Sequence, residues 1–258
     1  MSLFLSGLPL WAAIILIVVL PTVAAIAGLI FSRRWLNLEH LSTNNEIAGF
    51  KFATVGVIYS VLVAFAVIVV WEKFNEAETV VVREAGAVAT LYQLAAGPEP
   101  GLIATRAALG NYVRLAIDRD WPAMATEKES REASQALVAL YAAALQLGAD
   151  GARHPAILAE MLRQIDTITQ ARRTRLHLAT GIVPGIVWLA LTCGAVLTVG
   201  FTYFFGTQNL RAQVMMTGIL SVLVFMGLLV IVSIDHPFTG PSNVGSEPLQ
   251  ALVEDFAH

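Results

Sequence analysis

Charge is scarce in this sequence. Asp, Glu, Lys and Arg make up 14% of the 258 residues, 57% are hydrophobic, and the mean hydropathy is +0.69. A soluble domain carries about 25% charged residues, so the deficit excludes an ordinary soluble fold and points to a membrane protein. The net charge of −3 does not suggest a nucleic-acid partner, for which an excess of clustered Lys and Arg is expected. Cysteine occurs once, at Cys193, excluding an intramolecular disulfide framework and any cysteine-based zinc site. Lying in an apolar run, Cys193 reads as a small buried hydrophobe.

Catalytic patterns are missing too. His40, His154, His177, His236 and His258 are scattered, with no pair at ligand spacing and no HExxH. There is no phosphate loop, no GxGxxG after a strand and no GxSxG elbow. Glu72 and Glu76, one helical turn apart, come nearest to a cation site and read as a solvated helix face. The sequence therefore predicts no enzyme, no catalytic residue, no resident metal and no cofactor.

What is present is four apolar runs long enough to cross a bilayer, which takes about 20 residues at about 1.5 Å each. They cover residues 10–31, 52–71, 182–205 and 214–234. The first has a faint cleavage-like Thr22-Val23-Ala24-Ala25, but no Lys or Arg precedes it and the run continues to Phe31, so it is expected to be a retained span. None of the four contains Asp, Glu, Lys, Arg or His. Proton relays, pumps and voltage sensors need such a residue, so ion-coupled transport loses ground. Small residues such as Gly56, Gly194, Gly218 and Gly227 read as packing positions, and the GxxxG spacing of Gly181 and Gly185 permits close helix approach.

Four spans leave both termini on one side, together with the stretch between spans two and three. Lys and Arg near the span ends divide almost evenly between the two sides: Arg33, Arg34, Lys51 and Arg211 against Lys73, Arg83, Arg172, Arg173 and Arg175. The intervening stretch reads as helical. Phe74, Ala77, Val81, Ala85, Val88, Tyr92 and Ala95 step by threes and fours beyond Trp71, so the second span is expected to continue into water for about six turns. The breaker Gly97-Pro98-Glu99-Pro100-Gly101 stops it. Further helices follow from Leu102 to Ile117, ended by Trp121-Pro122; through Ala133 to Ala144, with Thr126 and Glu129 as a capping box; and, after a turn over Gly148 to Pro155, from Ile157 towards the third span.

The expected fold is all-α: an integral membrane protein with a transmembrane hairpin at 1–71, an antiparallel helical bundle at 72–181 continuous with spans two and three, a second hairpin at 182–234 and a tail at 235–258. The tail holds a short helix opened by Ser246-Glu247-Pro248 and carrying Leu249, Leu252 and Phe256, and Asp235 caps or pairs where the last span ends. Glu76 and Glu78 follow the second span at about the height where Arg172, Arg173 and Arg175 precede the third. Ion pairs between the two sets would clamp the extensions together; phospholipid headgroups are the other partners open to the arginines.

The run from Asn44 to Tyr92, NNEIAGFKFATVGVIYSVLVAFAVIVVWEKFNEAETVVVREAGAVATLY, and DHPFTGPSNVGSEP after the fourth span resemble the bestrophin-like domain family of unknown function. The matching positions are Asn45, Gly49, Gly56, Tyr59, Trp71, Glu72, Ala77, Glu84 and Ala85, with Asp235 opening the second run. Bestrophins themselves are pentameric anion channels with four spans, a cytoplasmic helical domain and a neck lined by the second span. The resemblance implies a homo-oligomer in the lipid bilayer, most simply the cell inner membrane, with the helical domain and both termini cytoplasmic and inorganic ions as partners. It makes Gly56, Tyr59, Val63, Phe65 or Ala66, and Val70 the candidates for pore lining. Bestrophins carry an Asn-rich segment leading to Asp-Arg-Trp-Trp where this chain reads Val69-Val70-Trp71-Glu72, so the ion stays open. A membrane-anchored helical scaffold without transport is the competing reading. An axial pore needs an oligomer, because no single subunit with such apolar helices offers a polar path.

Overall fold

A computed structural model of the chain describes residues 2–35, 45–149, 155–207 and 209–256. His40, His154, His258 and the greater part of the turn expected over Gly148 to Pro155 lie outside them. Every regular element among the described residues is helical, and four helices are long and apolar enough to cross a membrane. The protein is an all-α integral membrane protein. Two units share the chain: residues 1–72 with 181–235, and residues 73–180 with 236–258.

The membrane unit begins with the short helices α1 (Ser2–Ser6) and α2 (Leu10–Ile14), a π-helical turn at Ile15–Val19, and α3 (Leu20–Trp35). Proline at position 21 has no N–H to donate and its ring crowds the preceding turn; the wider π turn just before it absorbs both defects, so the first span is not broken. The second span is part of α4, Asn45–Leu94, a single helix of 50 residues. At helical rise it is about 75 Å long, and the boundary between the units falls inside it. The third and fourth spans are α9 (Gly185–Phe201), prolonged by a 3₁₀ turn at Thr202–Phe204, and α10 (Leu210–Ile234).

Tyr59, Ala66 and Val70 of α4 pack on Leu191 and Ala195 of α9 and on Leu228 and Ile231 of α10. Close approach is found at Gly194 and Gly227 and not at Gly185. A Cβ at Gly185 would meet nothing within 4 Å, whereas one at Gly194 would stand 2.5 Å from the Tyr59 ring and one at Gly227 would stand 3.2 Å from Val63. Cys193 is exposed and not part of that core, because it lies one position round the helix from Gly194.

The second unit contains the distal part of α4 with α5 (Pro100–Leu115), a π turn at Ala116–Asp120, α6 (Trp121–Met124), α7 (Arg131–Ala149), α8 (Pro155–Ala179) and α11 (Glu247–Asp255). Val88, Leu91, Leu109, Val113, Leu137, Leu140, Met161, Ile165, Ile168 and Leu249 form its core. Burying each such side chain contributes about 1.5–3 kcal/mol. As in the first span, a π turn precedes a proline, here Pro122, and the helix runs on to Met124 where Trp121-Pro122 was expected to end it. The cap of α7 is Ser130, whose Oγ accepts the Ala133 N–H at 3.3 Å. Thr126, expected in that role, turns its hydroxyl to the Ala123 carbonyl instead. The next residue, Glu127, has a φ of 58°, which ends any helix there.

Nor does the bundle run unbroken into the third span, as its sequence led us to expect. Helix α8 stops at Ala179, and Pro184, extended at ψ 147°, caps α9. A proline holds the residue before it out of the helical region, so the chain must break. The tail folds onto the second unit: Tyr92 stacks on Phe256 at 3.7 Å, and the Trp121 indole N–H donates to the Val244 carbonyl at 3.2 Å.

Candidate functional site

Helix α4 presents two faces along its transmembrane part. The inward one carries Tyr59, 6% exposed, Ala66 and Val70, which is fully buried. Gly56 and Val63 are half-buried on its flank. The opposite line is Phe50, Val57, Val61, Phe65 and Ile68; Val57 and Phe65 are 62% and 65% exposed. Steps of three, four and seven keep these five on one stripe. Tyr59, Ala66 and Val70, expected to face a pore, pack within the chain. The surface free to face water, lipid or another copy lies on the far side of the same helix.

Both ends of this hairpin are pinned by polar side chains. At the start of α4 the Asn45 amide donates to the Gly206 carbonyl at 2.7 Å and accepts the Gly206 N–H at 2.9 Å, holding both backbone groups of one residue. Gly49 sits one turn on, near Phe205. Nearby, Arg33 donates to the Thr207 carbonyl at 2.7 Å and to Gln213. At the other end, fully buried Asp235 accepts the N–H groups of Ile182 and Val183 at 3.1 and 2.8 Å through one carboxylate oxygen. These donors have no helical partner because the chain breaks before Pro184, and Asp235 supplies what a cap would. Trp71 and Glu72, at the end of the span, are exposed.

The second unit holds a buried cluster of charges. Arg175 donates to Glu84 through Nε at 2.9 Å and through Nη2 at 3.2 Å, and reaches Asp120 at 3.3 Å. Arg172 grips Asp120 with two bonds at 2.8 and 3.0 Å. Tyr112 donates its hydroxyl to Glu84 at 2.6 Å, the Ser130 N–H donates to Asp120 at 2.9 Å, and the Trp121 ring lies 4.1 Å from the Arg175 guanidinium carbon. Two cations meet two anions, every one almost fully buried. Desolvation pulls the Arg175 pKa down, but the charge of Glu84, with Tyr112 and Asp120, outweighs it and the net shift is upward. Burial first, then the neighbouring Glu84 charge, push the Tyr112 phenol well above its ordinary value.

The expected clamp between Glu76, Glu78 and the arginines does not form as such. Glu76 takes the Lys73 ammonium at 2.7 Å on its own helix, while Glu78 and Arg173 are exposed. Arg172 and Arg175 do cross between helices, but to Asp120 and Glu84. Sequence reasoning missed Asp120 and Tyr112. The signal was there in part: Arg172 and Arg175 continue the stripe of Met161, Ile165 and Ile168, and Glu84 continues that of Ala77 and Val81. An ionisable residue on a core stripe needs a buried partner.

A model of the Bestrophin-like domain matches residues 19–249. The chain belongs to the Bestrophin-like domain family. Several solved structures share the fold. A bacterial bestrophin homologue from Klebsiella pneumoniae, phased by zinc anomalous scattering, is 17% identical with a TM-score of 0.69, covering 92% of this chain and 93% of its own. A point mutant of the Klebsiella pneumoniae bestrophin homologue is 16% identical with a TM-score of 0.70, covering 94% and 97%. The crystal structure of a membrane protein variant is 17% identical with a TM-score of 0.71, covering 94% and 95%. No curated protein sequence matches the chain. At these identities the shared property is the fold, which spans nearly the whole length of both partners. Within the Bestrophin-like fold, Asn45 and Asp235 pin loops, Glu84 belongs to the buried cluster, and no group of three or more metal-ligating side chains occurs among the described residues.

Proposed function

We propose that this Bestrophin-like protein is an oligomeric ion channel, with the outward line of α4 turned to a central axis. The observation that carries the reading is the division of labour on α4: Tyr59 and Val70 close the subunit core, while Val57, Val61, Phe65 and Ile68 are left outward on one straight stripe. A lone four-helix subunit offers ions no path through its apolar core. Copies arranged about an axis create one between them, and a stripe of Val, Phe and Ile then forms an apolar neck that conducts or closes by wetting and dewetting. Pore lining in this reading passes from Tyr59, Ala66 and Val70 to the opposite face of α4, and Gly56 and Val63, half-buried beside the inward line, stay with the core. The helical unit and both termini lie in the cytoplasm in this reading, with the chain in the cell inner membrane. The bestrophin homologues of the same fold support the assignment.

Counting subunits of the purified protein in lipid nanodiscs by native mass spectrometry, followed by bilayer recording, tests it. A closed ring of at least four with single-channel currents is the expected result. A monomer, or a ring that passes no current, contradicts it.

A further inference from the structure

We infer that the channel favours cations over anions and that Glu72 is the residue that sets this preference. The inference rests on the pore reading above. Four residues after Ile68 and seven after Phe65, Glu72 continues their stripe, and it is the first ionisable residue that the stripe meets after its apolar stretch. Its side chain is exposed. In an assembly with the stripe on the axis, each copy places one carboxylate about 6 Å along the helix from the last apolar side chain. The opposite end of the stripe is also acidic: exposed Glu46 precedes Phe50 by one turn.

The basic residues of α4 next to these carboxylates are rotated off the stripe or already engaged. Lys73 follows Glu72 by one position, which rotates it about 100° round the helix, and its ammonium is held by Glu76 at 2.7 Å. Lys51 is rotated likewise from Phe50. Arg83 is the next basic residue that returns to the stripe, about 16 Å beyond Glu72 and about 22 Å beyond Ile68. That is more than two Debye lengths of about 8 Å at physiological ionic strength. The barrier for an ion is the apolar stretch, where it must shed water, so the charge nearest that stretch decides which sign enters. A ring of carboxylates there concentrates cations and repels anions. Between Glu72 and Arg83 the stripe offers Asn75 and Thr79, polar and uncharged.

The test is the reversal potential of the full-length protein in planar bilayers under a KCl gradient, for the wild type, Glu72→Gln and Glu72→Lys. Glu72 is exposed, so neither change disturbs packing; gel filtration of each variant confirms an intact assembly. The wild type is expected to pass K⁺ over Cl⁻ by about tenfold or more, Glu72→Gln to lose most of that ratio, and Glu72→Lys to invert it. Wild-type currents that favour Cl⁻, or a ratio indifferent to both substitutions, overturn the inference and leave the channel standing. Absence of current in all three removes the pore reading and this inference together.

Discussion

Arg175 and Glu84 meet at 2.9 Å with neither side chain exposed, and the pair joins α8 to α4, the helix that also forms the second span. Removing one partner strands the other charge in the core, which costs about 3–5 kcal/mol. Arg175→Ala and Glu84→Ala are each expected to lower the thermal midpoint of the detergent-solubilised protein far more than Arg173→Ala. Arg173 is exposed and makes the internal control. Equal midpoints for the three would show that the cluster does not hold the unit.

The same cluster predicts an alkaline limit. The Tyr112 phenol is raised by burial and by Glu84, so the folded state holds its proton more tightly than the unfolded one. A pKa raised on folding contributes stability that is complete below the unfolded value, near 10, and is lost as pH rises above it. Thermal midpoints between pH 9 and about 11.5 should therefore fall more steeply in the wild type than in Tyr112→Phe. Parallel curves would contradict the assignment.

Gly194 is where the Tyr59 ring lies, with a Cβ position 2.5 Å from it. Gly194→Ala overfills this contact and is expected to cost about 1–3 kcal/mol. Gly194→Ala with Tyr59→Leu should recover part of that, while Gly185→Ala, which meets open space, should be silent. Protease resistance in detergent reads the order, and a harmless Gly194→Ala would refute the close approach.

Asp235 gives a graded test. Asp235→Ala leaves the Val183 N–H without its acceptor and the Ile182 N–H with only the backbone carbonyl of residue 235 at 3.3 Å, at about 1–3 kcal/mol for a buried donor. Asp235→Asn keeps a carbonyl oxygen at the site and should cost less. The thermal midpoints should order as wild type, Asn, Ala; equal loss in both variants would mean that charge and not acceptance matters.

Helix number and type could be read from sequence because they rest on periodicity and on apolar length, which bilayer thickness and helical rise fix locally. The continuation of the second span to Leu94 was legible for that reason: Phe74, Ala77, Val81 and Val88 keep the helical step across the charged boundary. The break before Pro184 and the π turns before Pro21 and Pro122 were less so, since a proline shows where the ladder is disturbed but not whether the helix ends or bulges. Which face of a span is inward was not legible at all. Tyr59 and Val57 are both suited to a pore or a core, and only the positions of Gly194 and Leu191 on another helix decide between them. The partners of Arg172 and Arg175 depend in the same way on contacts remote in sequence.

Whether the outward stripe of α4 lines the ion path can be read from cysteine reactivity. With Cys193 replaced by Ser, the chain carries no native thiol, and cysteines are placed singly at Val57, Val61, Phe65, Ile68, Tyr59 and Val70. A charged methanethiosulfonate reagent attacks only thiolates that water reaches. Modification and a step change in current are expected at Val61, Phe65 and Ile68, with none at Tyr59 or Val70. Block at Tyr59 and Val70 with silence along the stripe would contradict it.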